Sequence, residues 1–286
     1  MSTIGELYEE GRSRLSFLEG SSADAAVESK VLVMKALSIS EEVFYSNPGR
    51  DVSEREKRQY LEMLSRRQKG MPLAYVVGEK EFWSLPFQVS PGVLIPRPET
   101  ELLVEKAVEL SGGRGGIIVD IGTGCGCIAV SLAKEIPGAR ILATDISGVA
   151  LKTARSNASR LQAGRITFLK GDLFTPLKGL GLEGKCDFIV SNPPYVSEDQ
   201  WETLQSGVRL HEPKEALVSG PAGLETMEKL VSGAPEFLKP GGYLCMEMGC
   251  GQRDDVLKLF GKEWKRVECY DDLSGIPRLI TAQTAF

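Results

Sequence analysis

From Gly115 to the C-terminus, short apolar runs of strand length alternate with longer stretches of helical period. The runs are Ile117-Ile118-Val119, Ile141-Leu142-Ala143-Thr144, Ile166-Thr167-Phe168-Leu169, Phe188-Ile189-Val190 and Tyr243-Leu244-Cys245-Met246. Helical patterns fall between or after them, at about 125–134, 147–161, 224–238 and 252–260. Near-continuous apolar strands need cover on both faces, and helices on either side of a parallel sheet supply it. The predicted fold of this part is a mostly parallel, doubly wound α/β domain of Rossmann-like type. Two tail segments, 267–270 and 278–282, are predicted to close the sheet as an antiparallel pair.

The chain ahead of this region has a different texture. Residues 1–70 carry helical periodicity and no strand signal, beginning with Leu7, Leu15 and Leu18 and continuing through a broad apolar face at 25–37. Four or five helices are expected there. Residues 71–97 are expected to form a β-hairpin linker, with strands at 82–89 and 93–95 joined by Ser90-Pro91-Gly92. Pro98-Glu99-Thr100-Glu101 then opens a helix, with proline in its first turn and acids at the positive end of the dipole. The domain division predicted is 1–70, 71–97 and 98–286.

Charge and rare residues narrow the chemistry. A formal charge of −5 argues against bulk nucleic-acid binding, which needs a basic face to displace counterions. It fits a basic protein partner. No apolar run approaches a membrane span, and Met1–Glu6 lacks the basic flank and apolar core of a signal peptide, so a cytoplasmic location is expected. Six scattered cysteines without paired CxxC elements read as free thiols in a reducing compartment, with no metal. The single histidine, His211, reads as a surface or capping residue rather than a catalyst.

Three strand ends in succession carry ligand-binding signals. The loop Gly122-Thr123-Gly124-Cys125-Gly126 follows the first strand, where glycine lets a ligand approach the backbone closely. It is neither a complete dinucleotide fingerprint nor a P-loop. Asp145 ends the second strand, roughly 20 residues on, where an acid can hold both ribose hydroxyls. Asp172 ends the third and can accept from an adenine amino group, with Leu173 against the ring. Together they describe an adenosyl cofactor without pyrophosphate, and S-adenosylmethionine fits.

A fourth strand, 186–190, runs into Ser191-Asn192-Pro193-Pro194-Tyr195-Val196. Two prolines cannot continue a sheet ladder, so the chain must leave as a stiff extended loop. That loop offers the Asn192 amide oxygen, backbone carbonyls and the Tyr195 ring, which suits gripping a planar NH2 group. Asn192, Pro193 and Tyr195 are the expected catalytic residues. With Pro194 they form the substrate grip, and Asn192 also borders the cofactor. Similar Asn/Asp-Pro-Pro-aromatic loops act on adenine N6 and guanine N2, so the tetrapeptide alone leaves the acceptor open.

Nearly the whole chain resembles the protein-(glutamine-N5) methyltransferases of the PrmC/HemK family, which modify peptide-chain release factors. The resemblance rests on Pro72–Gly78, Phe82-Trp83, Leu94-Ile95-Pro96-Arg97-Pro98-Glu99-Thr100-Glu101, the loop from Asp120 to Gly126, and Asn192–Tyr195. Glu212–Leu217 and Asp272–Arg278 extend it. It implies a seven-stranded class I methyltransferase fold, S-adenosylmethionine as donor, S-adenosylhomocysteine as product, and the glutamine of a Gly-Gly-Gln motif as acceptor. It also implies that the N-terminal helical domain helps engage the release factor, with no direct nucleic-acid or membrane contact. The Ile95–Thr100 run favours the release-factor branch over ribosomal-protein glutamine methyltransferases and over nucleic-acid amino methyltransferases. An interaction module for translation factors that binds the cofactor without turnover is a further alternative. Departures from the pattern are Cys125, where Thr or Ser is common, Leu173, where an aromatic is frequent, and a divergent helix at 25–37. Arg97 and Glu99 either position the helix over the cofactor or form an N-terminal cap with an ion pair.

Overall fold

The computed structural model describes residues 2–16, 22–164 and 166–286. Leu18, predicted to belong to the first helix, lies outside the described residues. The chain divides into two compact units, Met1–Glu79 with Gln205–His211, and Lys80–Leu204 with Glu212–Phe286.

The first unit is helical: α1 (Ile4–Leu15), α2 (Ser22–Leu37), α3 (Glu41–Ser46), α4 (Glu54–Gln68), α5 (Leu73–Val77) and, from the later segment, α10 (Ser206–His211). Thr3 with Glu6 and Ser53 with Glu56 form capping boxes that satisfy the first backbone donors of α1 and α4. Ile4, Leu7, Leu32, Val33, Tyr60 and Leu64 make the core. Residues 71–77 were expected to begin the hairpin linker. They instead contain α5, which starts after Pro72 and stops at Gly78 in the left-handed region (φ 80°). Five residues are too few for a periodic signal, but the proline before and glycine after are helix punctuation.

Gly11 lets two hydroxyls from other helices approach α1 closely. The Tyr60 hydroxyl donates to the Leu7 carbonyl (2.7 Å) and the Ser29 hydroxyl to the Tyr8 carbonyl (2.7 Å), both across the face of α1. A Cβ at Gly11 would lie 2.2 Å from Tyr60 Oη and 2.4 Å from Ser29 Oγ. In an open helix, Gly→Ala gains about 1 kcal/mol. Here overpacking, costing about 1–3 kcal/mol, outweighs that gain. Gly11→Ala is therefore expected to lower stability in chemical denaturation; a gain in stability would refute the packing role.

The second unit begins with a two-stranded hairpin, β1 (Glu79–Phe82) and β2 (Leu85–Gln88). Its turn is Trp83-Ser84, not Ser90-Pro91-Gly92, and residues 93–95 are not a strand. Both turn residues have positive φ (53° and 55°), as a two-residue hairpin turn matching strand twist requires. Trp83 and Ser84 carry no glycine signal, which is why the sequence pointed elsewhere. The strained Trp83 is tied down: its backbone N–H donates to Glu101 (2.7 Å) and its indole N–H to Glu135 (2.8 Å). Phe82 and Phe87 are buried against each other.

A 3-10 turn at Pro98–Thr100 leads into α6 (Glu101–Ser111). The order then runs β3 (Ile117–Ile121), α7 (Cys127–Glu135), β4 (Arg140–Asp145), α8 (Gly148–Arg160), β5 (Ile166–Lys170), β6 (Cys186–Ser191) and α9 (Glu198–Trp201). It ends with α11 (Glu225–Phe237), β7 (Leu238–Glu247), α12 (Arg253–Leu257), β8 (Trp264–Asp271) and β9 (Pro277–Thr284). Helix α12 is shorter than the 252–260 pattern, and α7 starts two residues later than expected, after Gly126 in a left-handed conformation.

The seven strands order as β5-β4-β3-β6-β7-β9-β8. All pairs are parallel except β7 with β9 and β9 with β8. Val119, Leu142, Ile189 and Leu244 are fully buried on the central strands, as their uninterrupted apolar runs require. Sequence order reverses at β3, which lies between β4 and β6, and such a reversal opens a crevice at the carboxyl ends of the strands. Of the six cysteines, Cys125, Cys127, Cys186 and Cys245 are buried free thiols, and Cys250 is exposed.

Candidate active site

Register brings the predicted residues to one edge. Ile121 of β3 pairs with Thr144 of β4 and with Ser191 of β6, and Asp145 of β4 pairs with Lys170 of β5. The residues that follow these strand ends are Gly122, Ile146, Gly171 and Asn192, side by side. A Cβ added at Gly122 would lie 4.0 Å from the Asn192 carbonyl oxygen. The glycine loop and the Asn-Pro-Pro-Tyr loop are thus neighbours.

The glycine loop is shaped from below. Gly122 and Thr123 both donate their N–H to the Thr144 carbonyl (2.9 Å each), and Gly124 donates to Asp145 Oδ2 (2.9 Å). Gly124 has positive φ (58°) and open space where a side chain would project. Gly126 does the opposite, since its Cβ would sit 3.1 Å from Ala154, so glycine there lets α7 approach α8. Cys125 is buried, and its carbonyl accepts from Asn157 Nδ2 (2.9 Å). The same Asn157 exchanges hydrogen bonds with the Gln88 backbone (2.8 and 3.0 Å), linking the hairpin to the loop. Nothing in the sequence singled out Asn157.

Asp145 accepts from Gly124 N–H and, through Oδ1, from Ser147 N–H (2.8 Å). Burial pushes its carboxyl above the usual range, and these backbone donors work against that shift. Each oxygen has taken one hydrogen bond and can accept another, which suits ribose hydroxyls. Asp172 is exposed at the end of β5, and Leu173 holds a positive φ (45°) while packing on the main core. The donor set of the cradle fits an adenosyl group: open backbone at Gly122 and Gly124, a carboxylate at Asp145, and an apolar residue with an acid at 172–173.

Beneath the cradle lies a residue the sequence did not assign. Asp120 is fully buried, takes the Thr123 hydroxyl proton at 2.6 Å, and leaves Oδ1 without a partner among the described residues. Burial raises its carboxyl from 3.8 to about 7, the Thr123 bond and a backbone N–H opposing. An acid raised on folding keeps a proton that the unfolded chain has lost. Stability therefore falls as pH rises from about 4 to 7, then levels.

The Asn192–Tyr195 loop is pinned at both ends. Ser191 Oγ donates to the Ile121 carbonyl (2.7 Å) at its start. At its end Val196 exchanges backbone bonds with Leu217 and Ser219 (2.9 Å each), and Gln252 Nε2 donates to the Tyr195 carbonyl (2.9 Å). Among the described residues no backbone N–H donates to the Pro193 carbonyl. A pocket beside the loop is lined by Leu94, Arg97, Pro194, Tyr195, Ala216 and Leu217 together with Asn192 and Pro193. Its far walls are held by one ion pair: buried Glu212 accepts from Arg97 (2.6 Å) and from the Ile95 N–H (3.2 Å). The Ile95–Thr100 and Glu212–Leu217 stretches thus meet at the tetrapeptide. Arg97 stands at the N-cap position of the 3-10 turn, makes no side-chain cap hydrogen bond there, and pairs instead with Glu212.

Two further polar groups contact the tetrapeptide. Asn192 Nδ2 donates to Thr100 Oγ1 (3.0 Å), and the Thr100 hydroxyl donates to Glu247 Oε2 (2.6 Å). Tyr195 Oη makes a longer contact, 3.3 Å, with Glu247 Oε1. Burial holds the Tyr195 phenol above its usual range, with the Glu247 charge adding to the rise. The signal for Glu247 was present in the sequence as an acid inside the apolar run Leu244–Met248.

The chain is 41% identical over 286 residues to the release factor glutamine methyltransferase of Nitratidesulfovibrio vulgaris, spanning 98% of this chain and 95% of that one. It is 37% identical over 273 residues to that of Koribacter versatilis, spanning 95% and 96%. The chain belongs to the release factor glutamine methyltransferase family. Residues 6–78 match the PrmC N-terminal domain, and residues 98–221 match the methyltransferase small domain. Among solved structures, the hMettl16 catalytic domain aligns with TM-score 0.56 at 17% identity, over 81% of this chain and 82% of that one. A Pyrococcus furiosus methyltransferase aligns with TM-score 0.53 at 20% identity, over 77% and 98%. At such identities these two speak for the fold, a methyltransferase sheet.

Asp120→Asn keeps the Thr123 bond and removes the titration. Melting temperatures of the ligand-free protein should fall less between pH 4 and 7 in this variant than in the parent. Parallel curves would refute the buried neutral carboxyl.

Proposed function

We propose that this chain transfers a methyl group from S-adenosylmethionine to the side-chain amide nitrogen of a glutamine in a peptide-chain release factor, the glutamine of its Gly-Gly-Gln motif. The observation that carries the reading is the adjacency of the glycine loop and the Asn192–Tyr195 loop, in a chain whose relatives over nearly its full length are release factor glutamine methyltransferases. S-adenosylmethionine, when bound, supplies a methyl group activated by a sulfonium. Gly122, Thr123, Gly124, Cys125 and Gly126 would hold it through the loop backbone, Asp145 through the ribose, and Asp172 and Leu173 through the adenine. Asn192 would border both it and the substrate.

The protein's task is then orientation. An amide nitrogen is a poor nucleophile because its lone pair is delocalised, the resonance behind a rotation barrier of about 18–20 kcal/mol. Removing its proton beforehand is beyond any side chain near the loop. Asn192 Oδ1 and the Pro193 carbonyl can each accept one amide N–H, fixing both hydrogens and favouring pyramidal nitrogen. Placement of this kind can contribute roughly 7–11 kcal/mol. The two dipoles also stabilise the positive charge that develops on nitrogen. That nitrogen then sheds its proton readily to water or a carbonyl. Pro193 and Pro194 keep the carbonyls in place, and Tyr195 packs against the amide plane.

Incubation with labelled S-adenosylmethionine and, separately, release factor, ribosomal protein and DNA tests the acceptor. Label on the release-factor glutamine is expected; label in DNA alone would overturn the reading. Asn192→Ala should lower kcat by two or more orders of magnitude, of the size seen when one transition-state dipole is lost, with a smaller change in cofactor affinity. Asp145→Ala should instead weaken cofactor binding in calorimetry. It removes the Gly124 contact as well as the ribose acceptor, and unchanged affinity would refute the role.

A further inference from the structure

The hydrogen bonds around Asn192 form a chain with one direction. A carboxylate can only accept, so ionised Glu247 takes the single hydroxyl proton of Thr100 (2.6 Å). Thr100 Oγ1 must then act as acceptor toward Asn192, and only the NH2 arm of the carboxamide can donate to it (3.0 Å). The other arm, Oδ1, is left for a substrate. Strand pairing sets up the arrangement: Ser191 of β6 lies opposite Met246 of β7, so Glu247 and Asn192 follow on adjacent strands.

We propose that Glu247, acting through the Thr100 hydroxyl, is a positioning residue that fixes which way round the Asn192 carboxamide sits and so keeps Oδ1 available to the substrate amide. This rests on the glutamine methyltransferase reading above and adds to it a device for holding the clamp in one orientation. Protonation of Glu247 removes the constraint. A neutral carboxyl can donate to Thr100 Oγ1, Thr100 can then donate to Asn192 Oδ1, and the carboxamide turns its NH2 arm to the substrate. An NH2 group cannot accept the substrate N–H, so the reversed chain is unproductive.

The surroundings put this protonation near neutrality. Glu247 is fully buried, and burial raises its carboxyl from 4.5 to about 7. The Thr100 and Tyr195 hydroxyls and the charge of Arg278 on β9 act to lower it, and Glu99 beside Thr100 acts to raise it. Arg97 and Arg278 also face Tyr195. Turnover should therefore rise with pH through about 7 and then level.

The test measures kcat against pH with labelled donor and full-length release factor for the parent, Glu247→Gln, Thr100→Val and Thr100→Ser. Glutamine at 247 does not titrate and, like the protonated acid, can donate to Thr100 as well as accept from it, so its acid limb should vanish and its plateau should drop roughly tenfold, about the loss of a charged partner's share of one hydrogen bond. Thr100→Val, which removes the hydroxyl with little change of shape, breaks the chain in both directions, so it should lower the plateau kcat and flatten the acid limb without weakening cofactor binding in calorimetry. Thr100→Ser should restore most of that loss. An active parent whose acid limb persists in Glu247→Gln, or full turnover in Thr100→Val, overturns the positioning role and leaves the methylation reading standing. A parent with no turnover on release factor at any pH overturns both.

Discussion

Everything at this site depends on the parallel pairing of β3 with β4 on one side and β6 on the other. Parallel strands begin at the same edge and end at the same edge, so the residues that follow them emerge together. Ile121 opposite Thr144 and Ser191 is the register that delivers Gly122 to Asn192. A slip of one residue would turn Ile121 and Ser191 to the opposite faces of the sheet. The buried Val119, Leu142 and Ile189 hold that register, so the apolar core and the alignment of the two loops are one requirement.

The loops themselves are rigid for different reasons. The glycine loop has little side-chain mass and is held by its neighbours: the Thr144 carbonyl, the Asp145 carboxylate and Asn157 beneath it. The Asn-Pro-Pro-Tyr loop is stiff in its own backbone and needs anchoring only at its ends, where Ser191, Val196 and Gln252 provide it. A clamp that works by orientation must lose its conformational freedom before the substrate arrives. Two prolines reduce that freedom already in the unfolded chain.

Much of this was legible in the sequence, and the parts that were not share a cause. The strand and helix alternation predicted the sheet, because buried parallel strands leave an uninterrupted apolar signature. Glycine and proline predicted the two loops, because they act locally. The hairpin turn was misplaced because Trp83 and Ser84 take left-handed φ under tertiary constraint, with Glu101 and Glu135 holding the tryptophan from other elements. Helix α5 was missed because five residues carry no period. The sequence marked Thr100 and Glu212 as parts of motif stretches and Glu247 as an acid in an apolar run, but the partners of these residues and of Asn157 lie far away in the chain, and no local pattern encodes them.

Asp120 and Glu247 show what such a site demands of the fold. Both are buried acids whose ionised forms are disfavoured, and both sit at the carboxyl ends of central strands where an apolar residue would pack at lower cost. Their partners do not remove the penalty: among the described residues Asp120 keeps one oxygen unpaired and Glu247 has hydroxyls rather than a direct ion pair. A chain under pressure for stability alone would replace them. Their roles differ accordingly. Asp120 can stay neutral and still accept the Thr123 hydroxyl, so its protonation costs the glycine loop nothing. Glu247 loses its directing effect when it is neutral, because a carboxylic acid can donate as well as accept. Of two acids with similar burial and similar upward shifts, only the one whose charge sets the direction of a hydrogen-bond chain couples protonation to the geometry of the clamp.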